Sequence, residues 1–448
     1  MTDTSALFPR SFRKAYPVAV RGEGCYVYTA DGRRILDAAG GAAVVSIGHG
    51  VAEIARAIAE QAGQIAFAHT SQFHTEVAEQ LAAKLRALAP ANFRANGRVW
   101  FTSGGSEATE TALKLVRQYW LERGQPQRVR VASRWQSYHG ATLGAMTVSG
   151  NYRRRAPYAP WLAGWGHIDP CNCYRKPLGQ TTVKCKARCA DQLENFVLQA
   201  GPENVAAFIF EPVSGATLGG VVPPDGYLQR IAEICKRYEI LLLADEVLTG
   251  LGRTGRNFAV EHWGIEPDII LIGKGASSGY APLGAVLAAP RVWEPLEKGS
   301  GGLEHGFTYQ ASPVAAAAGL AVLKYAEERR LFERVAQAGE ELKRALAPLR
   351  ESPVVGDVRG LGLLVGVEFV RDKASGEPFA PEKKVAERVK HAAWEAGVAT
   401  YPIQGCVDGE RGDHVMLAPP FIISSGEIAE IARALQSAVA LIAGEEKL

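Results

Sequence analysis

The sequence predicts an α/β protein with a mostly parallel central sheet, helices on both of its faces, and a smaller α+β domain built from both termini. Three observations carry this expectation. The chain has 448 residues, more than one small core accommodates. Through its middle, short apolar runs bounded by turn signals alternate with helical stretches, the pattern of strands buried on both faces of a parallel sheet. A helix-rich tail and an N-terminal hairpin flank that pattern and supply the smaller domain. We place its N-terminal part at residues 1–65, the large domain at 66–327 and the C-terminal part of the smaller domain at 328–448.

The elements follow in order. Residues 25–28, the Asp31-Gly32 turn and residues 34–36 read as a β-hairpin. Residues 51–64 are helical, with Val51, Ile54, Ile58 and Ile65 near helical spacing; a second helix carries Val77, Leu81, Leu85 and Leu88 on one stripe. Residues 98–101 read as a strand that runs through a Gly-rich turn into a helix from about 106 to 120. The runs 129–132, 206–210, 240–244 and 268–272 are further strands. An Ala-rich helix spans 312–327, followed by the segment 331–349, a strand near 363–369, and helices near 383–396 and 426–443.

Composition narrows the function classes. Hydrophobic residues make up 47% and charged residues 22%, ordinary for a globular protein. Lys and Arg number 50 against 47 Asp and Glu, so neither a nucleic-acid surface nor a polybasic membrane surface is indicated. No apolar run approaches the ~18 residues of a membrane span. Residues 1–10 lack the apolar stretch of a secretion signal, and seven cysteines then read as reduced thiols, so a cytoplasmic protein is expected.

The chemistry begins with an acid. Ile240-Leu-Leu-Leu-Ala244 is a buried strand, and Asp245-Glu246 falls where it ends. Open α/β sheets bind ligands at that carboxyl edge. A solvated loop acid or helix cap would look the same. A strand ending in Asp-Glu also suits a nucleotide hydrolase, which needs G-x4-G-K-[ST]. The only Gly-Lys pair, Gly273-Lys274, is followed by Gly275, and Asp268 stands where the first Gly belongs, so that reading fails.

The lysine of that pair is the second candidate. Asp268-Ile-Ile-Leu-Ile272 is another buried strand, with Gly273-Lys274-Gly275 directly after it. A lone lysine after a strand is ordinarily solvent-exposed. Here two strands of one sheet deliver Asp245 and Lys274 to the same edge. A lysine facing a cleft can form an imine with an aldehyde. A carboxylate set back from it can contact the far side of a flat ring. Pyridoxal phosphate makes both demands, with an aldehyde on one side and a ring nitrogen on the other. Asp245 would keep that nitrogen protonated, and Lys274, once displaced by a substrate amine, would shuttle a proton at the substrate carbon.

Two weaker motifs join them. Thr102-Ser-Gly-Gly-Ser-Glu107 links a strand to a helix, where glycines and free N–H groups can cradle a phosphate; a plain Gly turn is the alternative. Tyr138-His139-Gly140 follows the strand at 129–132, and its aromatic ring could stack on a flat cofactor or simply pack in the core.

Together these segments resemble the class III pyridoxal-phosphate-dependent aminotransferases of fold type I. The matching stretches are Ser103-Gly-Gly-Ser-Glu-Ala108, Tyr138-His-Gly140, Glu211-Pro212, Asp245-Glu-Val247, Gly250-x-Gly-Arg-Thr-Gly255, Gly273-Lys-Gly275, Pro282-Leu-Gly284 and His305-Gly-Phe-Thr308. Asp31-Gly32 and Gly48-His49 fit the family's opening segment, and Leu417-Ala-Pro-Pro-Phe421 fits its closing strand. The resemblance covers nearly the whole chain in order. It implies that Lys274 forms the Schiff base, that Asp245 pairs the ring nitrogen, and that Val247 and Tyr138 hold the two ring faces. It further implies that Gly105 and Ser106 hold the phosphate, that His139 belongs to the cofactor-binding set, and that Glu211 sits beside Asp245. Thr308 would reach the phosphate of a neighbouring subunit, which makes the active form a homodimer or dimer of dimers. Ser106 stands where the ornithine, 4-aminobutyrate and glutamate-semialdehyde members more often have Thr, so the chain looks most like the omega-amino acid:pyruvate and amine transaminases.

The implied reaction moves an amino group from a primary amine or omega-amino acid to a keto acid, pyruvate foremost, in a ping-pong cycle. An amino-acid epimerase or aminomutase on the same scaffold is the alternative. A cofactor-binding regulator would need a DNA-binding module, and the segment before Cys25 is too short for one. Arg411, in the polar loop Asp408-Gly-Glu-Arg-Gly-Asp413, is the candidate for the keto-acid carboxylate, either as a mobile arginine or as an ordinary solvated one. Cys171-x-Cys173, Cys185 and Cys189 are only loosely compatible with a zinc knot, and we read them as an insertion of reduced cysteines with no metal.

Overall fold

The computed structural model describes residues 6–175 and 188–446. At its centre is a seven-stranded sheet, ordered Arg98–Thr102, Gly284–Ala288, Ile269–Ile272, Leu241–Asp245, Val205–Phe210, Arg130–Arg134 and His167–Ile168. Gly284–Ala288 runs antiparallel to both neighbours, and the remaining pairings are parallel. The strands are buried on both faces because alternate residues serve different cores. Phe208, Phe210, Leu242, Ala244, Ile270 and Ile272 pack in one cluster. Ala207, Ile209, Leu241, Leu243, Ile269 and Leu271 pack in another, against the helix Gly105–Glu122. This is the α/β architecture expected, with two strands unforeseen. Gly284–Ala288 has one β-branched residue, and His167–Ile168 is only two residues long, so neither carries a strong strand signal.

Strand polarity gathers the site. Arg98–Thr102 and Ile269–Ile272 are both antiparallel to Gly284–Ala288, so they point the same way. The parallel pairings extend that direction through Leu241–Asp245, Val205–Phe210 and Arg130–Arg134. His167–Ile168 follows the same direction, so six strands end at one edge, where open sheets bind ligands.

Two smaller sheets complete the molecule. Tyr26–Thr29 and Arg34–Asp37 form the expected hairpin, with Gly32 at φ +85° in the turn. Val398–Ala399 pairs in parallel with Leu36 and Asp37. Val355–Leu361, Leu364–Phe369, Asp413–Leu417 and Tyr401–Gln404 form an antiparallel sheet. One cluster unites Cys25, Leu36 and Ile47 with side chains between Val322 and Ile442. The strand expected over Leu417-Ala-Pro-Pro-Phe421 ends instead at Leu417. Pro419 and Pro420 have no N–H for a ladder. The N–H groups of Ala418 and Phe421 bond the carbonyls of Ala38 and Ser46 at 2.8 and 2.7 Å, docking this turn on the opening segment.

The helices form where the periodicity places them, at Ala52–Gln64, Glu76–Leu88, Pro313–Glu328, Val385–Glu395 and Ser425–Glu445. Ile65 lies just past its helix and is exposed, so the inward face there rests on Ile54. Among the described residues no helix is long and apolar enough to cross a membrane.

Candidate active site

A cleft of about 1180 Å³ opens over the carboxyl edge of the large sheet. Gly105, Ser106, Tyr138, His139, Glu211, Asp245, Val247 and Lys274 all line it. A second cleft, about 690 Å³ beside Arg123 and Lys298, contains none of them.

Lys274 follows its strand through Gly273 and adopts φ +39°, an uncommon conformation for a non-glycine residue. Burial lowers its pKa; Asp245 and Glu211 oppose that, and Arg154 adds to it. A depressed lysine pKa raises the fraction of neutral, nucleophilic amine.

Asp245 is the last residue of its strand and shares the face of Leu241 and Leu243, toward the helix Gly105–Glu122. Its Oδ2 meets His139 Nδ1 at 2.7 Å, and its Oδ1 accepts the Val247 N–H at 3.0 Å. His139 is held in turn at its main chain. Its N–H donates to Ser149 Oγ at 2.8 Å, and its carbonyl accepts Thr109 Oγ1–H at 2.6 Å. The sequence reading placed His139 in the cofactor set without a specific contact; the structure brings it against Asp245.

Glu211 ends the neighbouring strand and is buried. It accepts the N–H groups of Gly215 at 3.0 Å and Tyr138 at 3.3 Å, so it sets the main chain that presents the Tyr138 ring. Burial raises its pKa; His139 opposes this and Asp245 adds to it. Beneath it, the buried Arg134 donates to the Glu211 carbonyl and to Cys171 Sγ. Arg134, Thr109 and Ser149 were missed in the sequence. No spacing in the sequence singles them out: Arg134 ends its strand, Thr109 lies in the first turns of its helix and Ser149 caps a helix end.

The glycine-rich turn at 103–106 leads into the 18-residue helix Gly105–Glu122, whose first-turn N–H groups have no acceptor within the helix. Ser106 Oγ accepts the Ala141 N–H at 3.0 Å, which leaves its own proton to donate. A Cβ on Gly105 would lie 2.8 Å from Val247 Cγ1, and one on Gly140 would lie 2.8 Å from Ser106 Oγ. The glycines thus let the helix N-terminus pack directly on Val247 and the 138–140 turn pack directly on Ser106. His139 Nε2 is buried with no hydrogen-bond partner among the described residues. A helix N-terminus with free N–H groups, a fixed carboxylate and a lysine of lowered pKa lining one cleft fit pyridoxal phosphate.

Two expected site residues lie elsewhere. Thr308 is exposed and does not line the cleft of its own chain; nearby His305 bonds Thr111 Oγ1 at 3.0 Å and stacks on Trp100. Arg411 is also outside the cleft. Its Nε donates to Asp408 Oδ2 at 2.7 Å on the surface loop, a local ion pair that a search for loop arginines does not foresee. Cys171 is buried beside Arg134, and Cys185 lies outside the described residues. Among the described residues no cluster of three or more His, Cys, Asp or Glu side chains is arranged to hold a metal ion.

The model of the class-III aminotransferase family matches residues 8–439. This chain is a class III aminotransferase. The putrescine–pyruvate aminotransferase of Pseudomonas aeruginosa is 35% identical to it, over 93% of this chain and 89% of that one. A thermostable (S)-enantioselective omega-transaminase from Thermomicrobium roseum superposes with a TM-score of 0.91 at 39% identity, covering 98% of this chain and 96% of that one. An amine transaminase from an uncultivated Pseudomonas species, in its PLP-bound form, superposes with a TM-score of 0.89 at 37% identity, covering 98% of both. The aminotransferase therefore has the PLP fold type I architecture and uses pyridoxal phosphate, the cofactor of its class.

Proposed function

We propose that this aminotransferase takes the amino group of a primary amine or omega-amino acid and passes it to a keto acid, pyruvate foremost, in a ping-pong cycle. The observation that carries this is the convergence of Lys274, Asp245 and the N-terminus of the helix Gly105–Glu122 on one sheet edge. The names of the putrescine–pyruvate and amine transaminase relatives support the donor class and the acceptor.

Pyridoxal phosphate, when bound, supplies an aldehyde for the substrate amine and a ring that draws electrons from the adjoining carbon. The chain's own residues do the rest. Lys274 is first the nucleophile that holds the cofactor and then, once released, the base that moves a proton at the substrate carbon. Asp245, fixed by His139 and the Val247 N–H, receives the pyridine N–H and favours its charged form. Val247 and Tyr138 confine the ring, and Gly105 and Ser106 take the phosphate. Thr308 serves the neighbouring copy's phosphate site in a homodimer or dimer of dimers.

The test is a donor screen. The PLP-loaded protein is offered putrescine, β-alanine, taurine and an aryl amine, each with pyruvate or 2-oxoglutarate. Amino-acid product should appear only when donor and keto acid are both present. Interconversion of amino-acid isomers with no keto acid added would establish an epimerase or aminomutase instead.

A further inference from the structure

We propose that Arg154 is the receptor for the acceptor's carboxylate, an inference that rests on the keto-acid reading above. Arg153, Arg154 and Arg155 are consecutive and meet different fates. Arg153 donates to Gln404 Oε1 at 2.9 Å. Arg155 donates to the Ser149 carbonyl at 2.9 Å and to the His167 ring. The Arg154 guanidinium has no hydrogen bond and no carboxylate partner among the described residues. Its main chain is anchored, with the N–H donating to Asn151 Oδ1 at 3.2 Å. Its charge lies 4.4 Å from the centroid of the Tyr138 ring, and both residues line the cleft.

A guanidinium in a cleft without a counter-charge is a planar fork that matches a carboxylate with two parallel hydrogen bonds. In a keto acid the carboxylate is bonded to the carbon that takes the amino group. Its receptor must therefore stand near the lysine amine. Arg154 meets this requirement, since it lines the same cleft as Lys274 and lies over the Tyr138 ring; its charge also adds to the lowering of the Lys274 pKa by burial. Arg411, paired with Asp408 on the surface, does not. The Tyr138 stack also solves the problem of two unlike substrates. An arginine in a cleft, left bare by a carboxylate-free amine, loses its partner at a cost that grows with its burial. Arg154 keeps an aromatic face as partner whenever no carboxylate is present.

The cofactor's phosphate is the other oxyanion the cleft must hold, and the experiment separates the two. Holoenzymes of the native protein, Arg154→Met, Arg154→Lys and Arg411→Met are compared. Propionate, a carboxylate with no carbonyl to react, is titrated into each by calorimetry. The pyruvate half-reaction and the half-reaction with a carboxylate-free amine are followed separately by cofactor absorbance. Arg154→Met should bind propionate and pyruvate about 10- to 150-fold more weakly, the range for hydrogen bonds to a charged group. Its amine half-reaction should change by less than about threefold, with its affinity for pyridoxal phosphate unchanged. Arg154→Lys should recover part of the binding, because an ammonium lacks the fork. Equal losses in both half-reactions would overturn the proposal. So would cofactor release from Arg154→Met, or a loss of propionate binding confined to Arg411→Met. A native protein that binds propionate through Arg154 yet does not convert pyruvate would sink the transfer reaction and leave the receptor standing.

Discussion

Replacing His139 by leucine tests how the floor of the site holds Asp245. The substitution keeps an apolar side chain of comparable bulk and removes both ring nitrogens. Asp245 Oδ2 has His139 as its donor at 2.7 Å, while Oδ1 keeps the Val247 N–H at 3.0 Å. Asp245 is 4% exposed, so water cannot readily replace the lost donor. A hydrogen bond to a charged group contributes about 1.5–3 kcal/mol. If that fixation acts at the transition state, its loss slows the amine half-reaction by about 10- to 150-fold. The amine's apparent affinity should hold within about twofold, because the contact is to the floor rather than to substrate. Single-turnover absorbance at several amine concentrations separates rate from affinity. A variant with a native maximal rate, or one that loses amine affinity and rate equally, would refute the positioning role of His139.

Four further outcomes follow from the same floor and its surroundings. Lys274→Ala should fold, yet lose turnover and the borohydride-reducible link to the cofactor; a retained link would remove Lys274 from its role. Asp245→Asn should bind cofactor but slow the amine half-reaction by about 10²- to 10⁴-fold, the usual range for a proton-transfer partner, and near-native single-turnover rates would show that another group protonates the ring. The active species should be a homodimer or dimer of dimers in which Thr308→Ala weakens cofactor binding, and an active monomer by light scattering contradicts this. Burial pushes the Glu246 carboxyl up to about 7, so between the ordinary unfolded value of ~4.3 and about 7 the folded state binds the extra proton. Stability should therefore fall as pH rises through that window, by on the order of 3 kcal/mol, and level off above it. Glu246→Gln should flatten that slope, and parallel denaturation curves for the two proteins from pH 5 to 7 would refute it.

What could be read in the sequence tracks how local each signal is. The strands ending at Phe210, Asp245 and Ile272 are legible because burial on both faces demands continuous apolar runs, and their parallel pairing puts Asp245 and Lys274 on one edge. The glycine-rich turn is legible as a turn because close approach to Val247 requires glycine at position 105. The Asp245–His139 contact joins residues 106 positions apart, and no periodicity encodes it. The same holds for Arg134 under Glu211 and for Arg154 over Tyr138. The pairing of Arg411 with the Asp408 carboxylate three residues earlier was not legible either, because a polar glycine-bounded loop does not show which local partner its arginine takes.

Glu211 and Asp245 pose the remaining question, since they close adjacent parallel strands paired through Phe210 and Ala244. Two carboxylates so close and so buried repel when both are ionised. The structure divides them by their donors. Among the described residues Asp245 faces an imidazole as well as a main-chain N–H, whereas the Glu211 carboxyl accepts only the N–H groups of Tyr138 and Gly215. Burial and its neighbour raise the proton affinity of Glu211. Burial of Glu211 thus works against its charged form, with His139 and Arg134 opposing that effect. Glu211, through the Tyr138 N–H, holds the main chain that places the Tyr138 ring and the Arg154 cation beside it.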